Sequence, residues 1–184
     1  MQWTIFDTRG TSVSKGSLVD PLPENNSIMT TPNIRTEFKR ILRQHGFKPL
    51  TAIVFVREHD PVTSLISLQQ SRFDEVFFIN VGVMHSGIQD ALFSASKGIW
   101  HMSARLDKLA PNGAGLRDAL NLNSEMKDDA RLAEISSALE YIESVLRAQW
   151  ESEEWLLLKA REPFDPVAPT SGALRRLAGA TTGV

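Results

Sequence analysis

Residues 61–84 read PVTSLISLQQSRFDEVFFINVGVM, and this stretch decides the fold. It contains two runs rich in β-branched and aromatic residues, 62–68 and 76–84, with the polar segment 69–75 between them. His59, Asp60 and Pro61 precede the first run; His85, Ser86 and Gly87 follow the second. Short apolar runs bounded by turn residues read as strands, and two in series read as the antiparallel centre of a sheet. Four polar residues stand out within the stretch: Gln69, Gln70, Ser71 and Asn80.

Upstream, the run AIVFVR at 52–57 predicts a preceding strand. Before it lies a well-marked helix. Thr31 is the candidate N-cap, and Pro32 suits the first helical position, where its missing N–H is no loss. Ile34, Phe38, Ile41 and Leu42 then form one apolar stripe. Gly46 can take the left-handed conformation that ends a helix, with Phe47 closing back on Leu42. Residues 1–29 show no sustained period and contain the breaker cluster 20–27. The expectation there is a flexible or loosely docked arm over 1–30, without a secretory signal and with Met29 as an alternative translation start.

Downstream, 88–97 reads equally as a helical turn or a loop. Trp100, Met102, Ala104 and Leu106 alternate with His101, Ser103 and Arg105, which predicts a fourth strand. A break at 111–115 precedes a short helix over 116–122. Leu132, Ile135, Leu139, Ile142 and Leu146 recur at helical spacing, with Asp128 and Asp129 where the helix dipole favours acids. Trp150 and residues 155–158 extend or cap that helix, and Pro163, Pro166, Pro169 and Gly172 predict a weakly structured tail over 161–184. The expected fold is therefore α+β. A four-stranded, mainly antiparallel sheet carries an N-terminal helix and one or two C-terminal helices on one face, in a single domain over 31–160.

Composition narrows the function. The 184 residues suffice for one core-forming domain. No apolar run is long enough to span a bilayer. The lack of cysteine removes disulfides and thiolate metal sites and fits a reducing cytoplasm. A net charge of −2 argues against a dedicated nucleic-acid binder. Charge is nonetheless uneven: five bases face one acid over 30–50, and nine acids face three bases over 125–154. Such runs read first as solvated helix faces; the sharper reading is an acidic field offered to a basic partner.

Several segments together carry a family resemblance. Phe38, Lys39, Arg40, Ile41 and Leu42 run into His45, Gly46, Phe47 and Lys48. Leu68, Gln69, Gln70 and Ser71 follow, then the FFINVGV run at 77–83, then His101, Arg105, Leu106 and Leu109. In this order they resemble the bacterial domain-of-unknown-function family 4304 over roughly 31–159. The chain departs from the pattern at Gln70, where a lysine is common, and in one extra residue between His101 and Arg105. The resemblance implies a small cytosolic domain and brings no reaction with it.

No catalytic constellation can be read. Ser71, His59, His101, Asp60 and Asp74 supply hydrolase residue types without a Gly-x-Ser-x-Gly elbow. His45, His59, His85 and His101 are spaced by 14, 26 and 16 residues, unlike metal-binding motifs. Glycines 82, 87, 98, 113 and 115 form neither a P-loop nor a dinucleotide fingerprint. No catalytic residue, metal or cofactor is therefore expected. Two binding readings stand. In the leading one the protein is a non-catalytic cytoplasmic binder, concretely a toxin-neutralising immunity protein. It would meet a basic toxin through Glu140, Glu143, Glu151, Glu153 and Glu154. In the other, Gln69, Ser71, Asn80, His101 and Arg105 form a ligand site or an enzyme site on one sheet face. The bland account of those polar residues is that they tie down backbone groups at strand ends. A homo-oligomer built on Trp150, Trp155 and residues 156–158 is a third option.

Overall fold

A computed structural model describes residues 31–161 and 171–180. The order is α1 (Thr31–Gln44), β1 (Lys48–Pro49), β2 (Val54–His59), β3 (Val62–Gln70), β4 (Phe77–His85), β5 (Met102–Arg105), α2 (Leu106–Leu109), α3 (Gly113–Ala119), α4 (Asp128–Val145), a π-helical turn (Leu146–Trp150), α5 (Glu153–Arg161) and α6 (Gly172–Ala180). The sheet order is β1-β2-β3-β4-β5, and every neighbouring pair is antiparallel.

The sheet therefore has five strands, not the expected four. The additional strand, β1, is two exposed residues pairing Lys48 with Val56 and Pro49 with Phe55. Proline is tolerated there because an edge strand leaves one row of N–H groups unused. The two runs of the opening stretch pair along their whole length, from Val62 opposite His85 to Gln70 opposite Phe77.

Pairing fixes the two faces. Ile66 and Leu68 on β3, Phe77, Ile79, Val81 and Val83 on β4, and Met102 and Ala104 on β5 point to one side. There they share a core with Ile34, Phe38 and Leu42 of α1, Ile135, Leu139 and Ile142 of α4, Leu156 of α5 and Leu174 of α6. The helices thus cover one face. Helix α1 ends as read: Gly46 has φ +81°, and the Phe47 N–H donates to the Leu42 carbonyl at 3.0 Å. The arm at 1–30 and Met29 lie outside the described residues. The expectation of little structure over 161–184 meets a nine-residue helix at Gly172–Ala180, held where the Arg161 Nε donates to the Ala178 carbonyl at 3.1 Å. No helix among the described residues is long and apolar enough to cross a membrane.

Candidate functional site

Among the described residues, no helix lies over the second face of the sheet. Alternation along β3, β4 and β5 places Leu65, Ser67, Gln69, Phe78, Asn80, Gly82, Ser103 and Arg105 there. Register sets Val54, Ser67, Asn80 and Arg105 in one row across four strands.

Part of this face is roofed by residues 94–100. Ser94 and Ile99 exchange both backbone hydrogen bonds, at 2.8 and 3.1 Å, and Gly98 turns the chain with φ +71°. Trp100 then lies on Gly82. A Cβ at Gly82 would stand 2.3 Å from Trp100 Cε3 and 2.6 Å from the Met102 carbonyl oxygen, so only glycine admits the indole. Trp100, Val54 and Leu65 form a small apolar cluster, and the indole N–H donates to the Ala95 carbonyl at 3.2 Å.

Between this roof and the strands is a recess of about 510 Å³, within the range of small-ligand sites. Ile53, Val54 and Trp100 make an apolar wall; Ser67, Gln69, Asn80 and Ser103 make a polar floor; Lys97 and Arg105 bring positive charge. None of the described residues lining it is acidic or a histidine. The floor is loosely tied: Asn80 Nδ2 reaches Ser67 Oγ and Gln69 Oε1 at 3.4 Å each, long for hydrogen bonds. Arg105 is better fixed. Its Nε donates to Asp107 Oδ1 at 2.8 Å, and its guanidinium carbon lies 4.3 Å from the centre of the Phe78 ring. Asp107 is buried and shared with Arg117, 3.5 Å away.

Three of the five polar residues read from the sequence as one site meet here: Gln69, Asn80 and Arg105. The other two do not. Ser71 sits in the β3–β4 turn, where its Oγ accepts the Phe73 N–H at 3.2 Å and its N–H donates to the Val76 carbonyl at 2.8 Å. His101 precedes β5, which starts only at Met102, so the alternation slips before reaching it. Met102 enters the helix-side core while Trp100 crosses to the other face.

His101 is buried, edge-on to Phe93 at 4.5 Å. Its Nδ1 accepts the His85 backbone N–H at 2.8 Å, and His85 Nδ1 accepts the Gly87 N–H at 3.0 Å. Each neutral ring must then carry its proton on Nε2. His85 passes that proton's hydrogen bond to Glu153 Oε1 at 2.9 Å, whereas the His101 Nε2 has no partner among the described residues. Burial first, and then the neighbouring His85, lower the His101 pKa to about 4. Both imidazoles serve as backbone anchors.

The acids expected to face a partner divide. Glu140 and Glu154 are exposed, and Glu153 pairs with His85. Glu143 and Glu151 turn inward around Arg57. Arg57 Nη1 donates to both Glu143 oxygens at 2.7 Å, and Arg57 Nε donates to Glu151 Oε1 at 2.9 Å. Ser64 Oγ and His59 Nε2 complete Glu151 at 2.9 and 3.1 Å, and Arg147 also pairs with Glu143. Burial pushes the Glu143 carboxyl up, but hydrogen bonds and charge from Arg57 and Arg147 outweigh it and hold the pKa below the usual range.

Sequence reasoning passed over Ser67, Lys97, Ser103 and Arg57. Ser67 and Ser103 were reachable through the same alternation that found Gln69 and Arg105. Lys97 depends on the fold of a loop. Among the described residues no group of three or more His, Asp or Glu side chains could hold a metal ion.

The model of a family described as "Domain of unknown function (DUF4304)" matches residues 38–148. Every residue lining the recess falls inside that span; Glu151, α5 and α6 fall outside it. No curated protein and no solved structure matches the chain.

Proposed function

The chain belongs to the DUF4304 family, whose description names no activity, and from the site's geometry we propose that it is a non-catalytic receptor for a small polar ligand. One observation carries this reading: Ser67, Asn80 and Arg105 lie in register across three strands at the floor of a roofed recess, with Gln69 and Lys97 beside them. A recess combining an apolar wall with a few convergent polar groups is the usual form of a ligand site. Its residues offer hydrogen bonds and charge. They do not offer a general base in reach of a nucleophile.

The test is a ligand-observed NMR screen of polar metabolites against the intact chain and the recess-filling variant Ser103→Trp. Binders should compete with one another, shift the Asn80 side-chain amide and vanish in the variant while its circular dichroism is unchanged. Binders that ignore Ser103→Trp would refute the proposal.

The second reading is the immunity protein of a bacterial cytoplasm, meeting a basic toxin at an acidic surface. Exposed Glu140 and Glu154 favour it. Glu143 and Glu151 contribute little field, being balanced by Arg57 and Arg147. Pull-down of neighbour-encoded proteins at low and high salt tests it; no capture at low salt would count against it.

A further inference from the structure

Resting on the receptor reading, we infer that the ligand is an oxyanion carried on an apolar body: a carboxylate or phosphate group at one end, a ring or short chain at the other.

The argument begins with hydrogen-bond polarity. The Ser67 and Ser103 hydroxyls, the Gln69 amide nitrogen, Lys97 and Arg105 can all donate into the recess. The fixed acceptors facing it are two amide oxygens, of Gln69 and Asn80, and Gln69 Oε1 already takes the Asn80 N–H. A surplus of donors suits a group made of acceptors.

Charge points the same way. Arg105 spends its Nε on Asp107, but its two terminal nitrogens have no acceptor among the described residues. Asp107 cannot neutralise it fully, because the same carboxylate also faces Arg117. Lys97 has no side-chain hydrogen bond or ion pair among the described residues. With no acid in the lining, the recess is a local positive spot on a chain of net charge −2. Cationic ligands are disfavoured by the same arithmetic.

The body of the ligand is set by the opposite wall. Ile53, Val54 and Trp100 offer hydrocarbon and an indole rather than partners for sugar hydroxyls. Ile53 is 39% exposed and forms an apolar lip. Among the described residues the Asn80 side chain makes two hydrogen bonds, both long, so an incoming oxygen displaces little.

Four single-ring probes separate the possibilities: benzoate, phenyl phosphate, benzyl alcohol and benzylamine, titrated into the ¹⁵N-labelled full chain at low salt. Benzoate or phenyl phosphate should shift the Trp100 indole and Asn80 amide signals, and which binds more tightly names the head group. Benzylamine should shift neither. Lys97→Gln, on an exposed loop where folding is not at stake, should weaken the anion about tenfold, as loss of one charge-assisted contact does. Arg105→Gln should weaken it at least as much, whereas Lys97→Arg should retain it. Benzyl alcohol or benzylamine binding the same residues as tightly as the anions would overturn the oxyanion inference and leave the receptor reading standing. Anion binding indifferent to both glutamine variants would overturn it equally. Silence from all four probes would remove both.

Discussion

The two faces of the sheet treat charge in opposite ways. Beneath the helices, Arg57 is almost enclosed, and each of its three side-chain nitrogens donates to Glu143, Glu151 or the His45 carbonyl. On the other face, Arg105 keeps 40% of its side chain exposed and is answered by one shared carboxylate. Desolvation explains the contrast. A charge taken out of water must find partners within the fold, whereas a charge beside water can wait for one. The helix face is built for stability; the open face retains unspent interactions.

That comparison breaks most visibly at Arg57. Arg57→Met leaves the Glu143 and Glu151 carboxylates without the cation they share and should destabilise by about 3–5 kcal/mol in urea unfolding. Adding Glu143→Leu should recover part of the loss. If the single variant unfolds like the wild type, the helix-side pairing does not constrain the fold.

Acid has the next-largest effect. His101 titrates near 4 in the fold and near 6.5 when unfolded. Between those values the unfolded chain holds a proton that the folded chain refuses, so stability falls as pH drops from 6.5 to 4, by at most about 3 kcal/mol. Glu143, held low by its arginines, adds to the loss in acid because it too must be protonated. His101→Gln should flatten the upper part of the profile, measured by chemical denaturation at a series of pH values. A slope unchanged by that substitution would show that another group sets it.

Gly82→Ala sharpens the contrast from the open side. The new methyl meets the indole of Trp100 and the Met102 carbonyl together, and overpacking of that kind costs about 1–3 kcal/mol. Trp100 fluorescence and recess binding should both change. Smallest of all, Lys97→Gln should alter stability by no more than about 0.5 kcal/mol, as expected of an exposed loop residue. A larger loss would mean that Lys97 is a structural residue after all.

How much of this could be read from the sequence follows from the range over which each feature is determined. The strands at 62–70 and 77–85 announce themselves because alternation and β-branching act between neighbours. Helix α1 does so through its stripe and its Gly46 ending. Strand β1 could not, since two exposed residues carry no period. Helix α6 hides behind glycines and a proline-rich approach; Leu174 and Ala178, a turn apart, are buried through packing that local composition does not reveal.

The site divides along the same line. Gln69, Asn80 and Arg105 share a face because alternation holds through β3, β4 and β5. His101 was grouped with them by extending that alternation one residue beyond the strand. Arg57 meets Glu143 and Glu151 across 86 and 94 residues, a separation at which no pattern in one sequence pairs a base with an acid.

The π-helical turn at Leu146–Trp150 has a consequence for how the chain can change in length. The Glu151 N–H donates to the Leu146 carbonyl, five residues back, at 2.9 Å. An α turn closes the same bond over four. The turn therefore stores one spare residue between buried Leu146 and the Glu151 carboxylate that holds Arg57. Removing exposed Ala148 would let an ordinary turn span the gap with both ends in place. The same deletion one turn earlier, within α4, would swing everything beyond it by about 100°. Along this helical stretch, the π turn is where a codon can be lost without moving the residues on either side.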